Sequence, residues 1–160
     1  MVARMPRRLL ATAVVGILSI SATLASELVG ADPWRIIHLA RQYGEAEVGR
    51  DSFGAPMIAG KLDGHAYEIV FHDCDLGRDC NVMLFRGIVD REEWREKAPR
   101  HRLFRDWNRS KLFGRAYMDR QNRAVVESTA TLAGGVPEEN VRNLFERWRV
   151  TLREFLEHVE

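Results

Sequence analysis

Three catalytic signatures are missing from this chain: the H-E-x-x-H zinc helix, the phosphate-cradling P-loop and the G-x-S-x-G nucleophile elbow. Their absence removes the usual marks of zinc proteases, P-loop nucleotide enzymes and serine hydrolases. The five histidines, His38, His65, His72, His101 and His158, lie scattered without metal-ligand spacing. Each reads as a surface or half-buried side chain, so no catalytic residue, metal site or cofactor is assigned. Past residue 25 no apolar run is long enough to span a bilayer, and there is no internal repeat, linker or low-complexity tract. Cysteine is scarce as well. The 160 residues hold two, both within FHDCDLGRDCNVMLF, residues 71–85.

The N-terminus has what the rest lacks. Arg4, Arg7 and Arg8 form a basic start, and Leu9 to Leu24 is apolar or small without a charge. Thr23-Leu24-Ala25 then offers small residues at the positions a signal peptidase reads, which predicts a signal peptide over 1–25 cleaved near Ala25/Ser26. The rival is an uncleaved anchor, although this run falls short of the ~20 residues a span needs. No cysteine follows to make a lipoprotein. Residues 26–160 then form one domain. Three of the 24 lysines and arginines leave with the leader, so the 23 acids give a net charge of −2. The expectation is a mildly acidic, periplasmic or secreted domain.

Export places Cys74 and Cys80 in an oxidising compartment. Their flanks, AYEIVF and NVMLF, are rich in β-branched and aromatic residues, and Gly77 supplies a turn between two strands. Setting Cys74 opposite Cys80 brings His72 to Val82, Val70 to Leu84 and Glu68 to Arg86, an opposite-charge pair. On the other face Phe71 meets Met83 and Ile69 meets Phe85. A redox site needs C-x-x-C-like spacing or an activated thiolate. Zinc could recruit His72 with the two cysteines but finds no fourth ligand. Calcium would use Asp73, Asp75 and Asp79, but Leu84 stands at the twelfth position where a glutamate is needed. A structural disulfide fits best, its seven-residue ring contributing roughly 2 kcal/mol.

Asp32-Pro33 starts a first helix whose apolar side carries Trp34, Ile36, Ile37, Ala40 and Tyr43, and Gly44 ends it. Strands follow over Ala46–Asp51 and Met57–Leu62. The Asp63-Gly64 turn sets Gly60 against Tyr67 and Ile58 against Ile69. One face of this meander is core. The other holds a Met57/Val70/Leu84/Val82 strip, expected to stay partly open. Asp90-Arg91-Glu92-Glu93 has capping-box spacing for a short helix around Trp94, with another around Leu103, Phe104 and Trp107. Gly114–Met118 and Ala124–Leu132 alternate as strands, and Gly134-Gly135 breaks the last. From Pro137, Val141, Leu144, Phe145, Trp148, Leu152, Phe155, Leu156 and Val159 recur at helical spacing. The fold class is α+β: helices on an antiparallel sheet, in the order α-β-β-β-β-α-β-β-α.

Several patterns carry a resemblance. They are Trp107-Asn108, Phe113-Gly114-Arg115-Ala116-Tyr117 with Asp119, Ala130-Thr131-Leu132, and Gly134-Gly135-Val136 before a terminal helix containing Trp148. In order and spacing, from Trp34 to Leu156, they resemble the YbjN family of small bacterial proteins. The cysteine pair resembles that family's exported branch. The resemblance implies a fold similar to type III secretion chaperones, which are non-enzymatic, often dimeric, and bind extended segments of partner proteins. The family's label, sensory-transduction regulator, names no reaction and no ligand.

Charge is uneven along the chain. Arg95 to Arg123 holds ten Lys or Arg against three acids. Export argues against nucleic acid. An acidic protein or an anionic envelope component suits this field, and so does pairing with the protein's own carboxylates. The reading is an exported binding module engaging a partner protein, or a second copy, through Val70, Val82 and Leu84, with Trp107, Arg115 and Tyr117 nearby. A membrane enters only through an uncleaved leader. The alternatives are a small-ligand sensor or enzyme with a pocket at Arg115 and Tyr117, and a plain structural envelope protein.

Overall fold

The computed structural model describes residues 28–90 and 100–159. The leader and the expected helix around Trp94 lie outside the described residues. A two-residue strand, β1 (Leu28–Val29), precedes helix α1 (Pro33–Ala40). Four strands follow: β2 (Ala46–Arg50), β3 (Pro56–Leu62), β4 (His65–His72) and β5 (Val82–Val89). Helix α2 (Arg100–Ser110), β6 (Arg115–Met118), β7 (Ala124–Thr131), the two-residue β8 (Val136–Pro137) and helix α3 (Glu138–Val159) complete the elements of the described residues. The fold is α+β. The six main strands form one antiparallel sheet in the order β2-β3-β4-β5-β7-β6, and β1 pairs with β8 beside it. These two short strands add to the expected order.

Local chemistry fixes the ends of α1. Asp32 accepts from the Trp34 amide at 2.9 Å, which satisfies a donor the helix cannot, and Pro33 occupies the first turn where no amide is needed. The helix stops at Ala40, short of Gly44, and buries Ile36, Ile37, Leu39 and Ala40. Trp34, expected on the inward side, is 55% exposed because that stripe turns it outward.

Hairpin register follows the side-chain pattern. Ile58 faces Ile69 and Gly60 faces Tyr67 across β3 and β4. Ile69, Val70, Phe71 and His72 face Phe85, Leu84, Met83 and Val82 across β4 and β5. Asp63 and Gly64 both have positive φ, 50° and 86°, as a type I′ turn demands. Beyond β4 the ladder narrows into the ring closed by the Cys74–Cys80 disulfide. Cys80 is also bridged to Ala31 from the N-terminal segment.

The described helices gather on one face. There Ile58, Tyr67, Ile69, Phe71, Met83, Phe85 and Val126 pack with Trp107 of α2 and with Val141, Phe145, Trp148, Leu152 and Phe155 of α3. Phe85 meets Phe145 edge-on at 5.3 Å and Trp148 at 5.5 Å between ring centroids. Gly87 lets α3 approach: a Cβ there would sit 2.5 Å from Leu152 Cδ1. Asn108 ties α2 to β6 by acting as an extra strand residue. Its Nδ2 donates to Ala116 O at 2.9 Å and its Oδ1 accepts from Ala116 N at 2.8 Å.

Candidate functional site

Among the described residues no helix covers the opposite face, and one row of side chains crosses it from edge to edge. Register makes the row. Glu47 of β2 faces Ala59 of β3, which faces Glu68 of β4. Glu68 faces Arg86 of β5, Arg86 faces Glu127 of β7, and Glu127 faces Arg115 of β6. Each strand contributes one residue; Glu47 and Glu68 flank the small Ala59, and from Glu68 to Arg115 the charges alternate in sign. Directly opposed side chains stand close enough to interact.

Glu127 anchors the row. Arg86 Nε donates to its Oε1 at 2.9 Å, the Tyr117 hydroxyl donates to the same oxygen at 2.7 Å, and Arg115 Nη2 reaches Oε2 at 3.5 Å. Glu68 stands further from Arg86, at 3.9 Å. The Glu127 side chain is only 10% exposed and that of Arg86 30%, whereas Arg115 is 75% exposed. A carboxylate this enclosed is tolerable because three donors converge on it. Burial first, then the hydrogen bond to Glu127, pushes the Tyr117 phenol up to about 12. Burial draws the Arg86 guanidinium down, but the bond and charge of Glu127 outweigh it and its pKa ends raised.

Ala59 and Ala66 leave a trough beside this row. Its volume is about 360 Å³, and Glu45, Glu47, Lys61, Glu68 and Arg86 stand around it. The Arg115 and Tyr117 site is divided between two other hollows. Arg115 lines one of about 460 Å³ with Phe113 and Glu127. Tyr117 lines another of about 240 Å³ with Arg86, Arg120 and Arg123. The expected residues therefore separate. Val82 and Leu84 are half-buried on the helix-free face. Val70 is enclosed at 1% exposure between Met57 and Leu84, its register neighbours. Trp107 is wholly buried, its indole donating to Gly114 O at 2.7 Å. Neither Val70 nor Trp107 is on display. Much of the basic stretch is spent internally: Lys111 pairs with Glu154, Arg115 with Glu127 and Arg123 with Asp119. Reading from sequence missed Glu127 itself. A lone acid within AVVESTAT, flanked by apolar residues, was the available signal.

All three tyrosines of the chain are held above their ordinary value. Tyr67, pushed up to about 12 by burial, and Tyr117 favour the protonated folded form. That contribution is complete below pH ~10, the unfolded value, and is lost as pH rises from about 10 to about 12. Absorbance at 295 nm should therefore show Tyr67 and Tyr117 still largely protonated at pH 10.5, with their ionisation arriving alongside loss of the far-ultraviolet circular dichroism signal. A full three-tyrosine absorbance step at pH 10 in the folded protein would contradict these environments.

An α+β domain with an ordered polar row on the sheet face that no described helix covers is the class this geometry defines. The chain belongs to the YbjN family, described as "Putative bacterial sensory transduction regulator", whose match covers residues 35–160. No curated protein and no solved structure matches the chain.

Proposed function

We propose that this protein is an exported, non-enzymatic regulatory module that captures an extended segment of a partner protein in the trough beside the Glu47–Arg115 row. One observation carries the reading: the charged row and its small-residue trough lie on the sheet face without a described helix. Folding costs are met on the other side, so nothing in the core requires six aligned positions of this kind. Family membership supports a regulatory rather than catalytic role, and the disulfide suits an oxidising compartment outside the cytoplasm. Three glutamates against Lys61 and Arg86 around the trough favour a segment with its own basic residues set among small ones. Val82 and Leu84 offer apolar contact further along the same face, and a second copy of the chain could use it too. The exposed Arg115 end suits an anionic group on the partner or an envelope component.

A small-ligand sensor at Arg86, Tyr117, Arg120 and Arg123 is the second reading, favoured by the hollow those residues line. Glu127 already takes the Nε donor of Arg86 and the Tyr117 hydroxyl, which leaves such a ligand less to bind.

The test fills the trough. Ala59 and Ala66 are exposed strand residues, so the A59F/A66F double variant should fold. In a pull-down from an envelope fraction it should recover at least tenfold less of whatever protein the wild type retains. Equal recovery by the two proteins removes the trough as the binding site.

A further inference from the structure

Two large apolar side chains stand almost wholly in solvent at one end of the sheet. Phe53, in the turn between β2 and β3, is 94% exposed, and Leu76, in the disulfide ring, is 96% exposed. The two loops are neighbours: a Cβ on Gly77 would lie 3.8 Å from Pro56 Cγ and 3.9 Å from Arg50 Nη2, at the strand ends that flank the Phe53 turn. Both are held firmly. Asp51 Oδ1 accepts from the amides of Phe53 at 2.9 Å and Ala55 at 2.8 Å, while Arg50 Nη1 donates to Gly54 O at 2.7 Å. In the ring, Arg78 N donates to Asp75 O at 2.8 Å, and Asn81 Nδ2 donates to Asp73 Oδ2 at 2.7 Å.

Leu76 is the odd residue. Its φ is +47° and that of Gly77 is +76°, the signs a type I′ turn requires. Where the chain makes the same two-positive turn at residues 63 and 64, it uses Asp-Gly. A leucine in the left-handed region is strained, and at 96% exposure it gains nothing from the core. Neither turn chemistry nor packing explains it.

We infer that this end of the domain docks on a lipid bilayer, with Phe53 and Leu76 entering the interface. Projecting tips suit a fluid surface, and in chains that keep the leader the N-terminal segment brings one near. Ala31 bridges Cys80 and stands only seven positions after Leu24, where the apolar leader run ends. Seven residues reach at most about 25 Å, so a bilayer holding that run lies within about 25 Å of the disulfide ring. Charge narrows the lipid. Arg50 and Arg78 against Asp51, Asp73, Asp75 and Asp79 make this end net negative, which favours zwitterionic headgroups over anionic ones. Two side chains alone support reversible contact; an attached leader makes it lasting. The inference does not depend on partner capture in the trough.

Hydrogen exchange read by mass spectrometry tests it on the chain as recovered from its host envelope, leader intact or removed. Adding phosphatidylcholine vesicles should slow uptake over residues 51–55 and 74–80 at least threefold. The equally apolar Leu112–Phe113 corner should be unaffected, and replacing half the lipid with phosphatidylglycerol should weaken the slowing. In the F53S/L76S variant the slowing at unmodified amides of both loops should vanish while the melting temperature holds. No slowing with vesicles, slowing that survives in the variant, or slowing produced only by added envelope proteins overturns the assignment.

Discussion

Replacing Phe145 with alanine should lower the melting temperature by roughly 15 °C, the equivalent of about 4 kcal/mol for a domain of this size. Phe145 is wholly buried on α3 and stands where three elements meet. Its ring stacks on Tyr43, in the turn after α1, at 5.1 Å and 10° between planes, and meets Phe85 of β5 at 5.3 Å and 89°. Tyr43 is in turn fixed by donating its hydroxyl to Arg142 O at 3.2 Å. Truncation removes the transfer energy of a phenyl ring and leaves a cavity whose walls are ring faces and strand backbone, which close poorly. Leu144→Ala, one position earlier and only partly buried, is the control and should cost about 1 kcal/mol. Thermal melts followed by circular dichroism decide it. A fall below 5 °C for Phe145→Ala would mean that α3 is not seated on the sheet as described.

Sequence periodicity reached this core because its signals are local. The α3 stripe repeats over six turns, and seven of its inward positions are buried, Thr151 with the apolar residues. The β3–β4–β5 meander could be put in register from Asp63-Gly64 and the cysteine pair, since a short turn leaves no freedom to slip. What escaped is non-local or cooperative. β7 enters between β5 and β6, so Arg86 meets a carboxylate 41 residues away, and nothing nearby announces the pairing. Val70 lies on the face that no described helix covers, yet longer side chains on β3 and β5 enclose it; alternation fixes a face and says nothing about its neighbours' reach. The β1–β8 pair is too short to carry any period. Trp34 yielded its inward place because an eight-residue helix has one apolar stripe, and Ile36, Ile37, Leu39 and Ala40 fill it.

Glu127→Leu should cost about 2 kcal/mol, and adding Arg86→Met should restore at least half of it. Removing one partner of an enclosed ion pair typically costs 3–5 kcal/mol because the other charge is stranded. Here the figure is discounted, since Arg86 keeps 30% side-chain exposure and Glu68 at 3.9 Å. The restoration follows from the same asymmetry. With both charges replaced by apolar groups of similar size, the Tyr117 hydroxyl is the one enclosed donor left in want of an acceptor, since the 75% exposed Arg115 turns to water. Urea unfolding of the wild type, both single variants and the double variant closes the cycle. Tyr117 supplies an independent optical reading: with Glu127 gone, burial still holds its phenol up, but the bond and charge of Glu127 are lost, so it should titrate below about 12. Fully additive effects, or an unmoved phenol, would show that Glu127 does not organise the row. The outcome bears on binding as well. A face whose charges are fixed before a partner arrives loses less side-chain freedom on contact, so Glu127→Leu, which leaves the trough residues in place, should weaken capture there while leaving the disulfide end untouched.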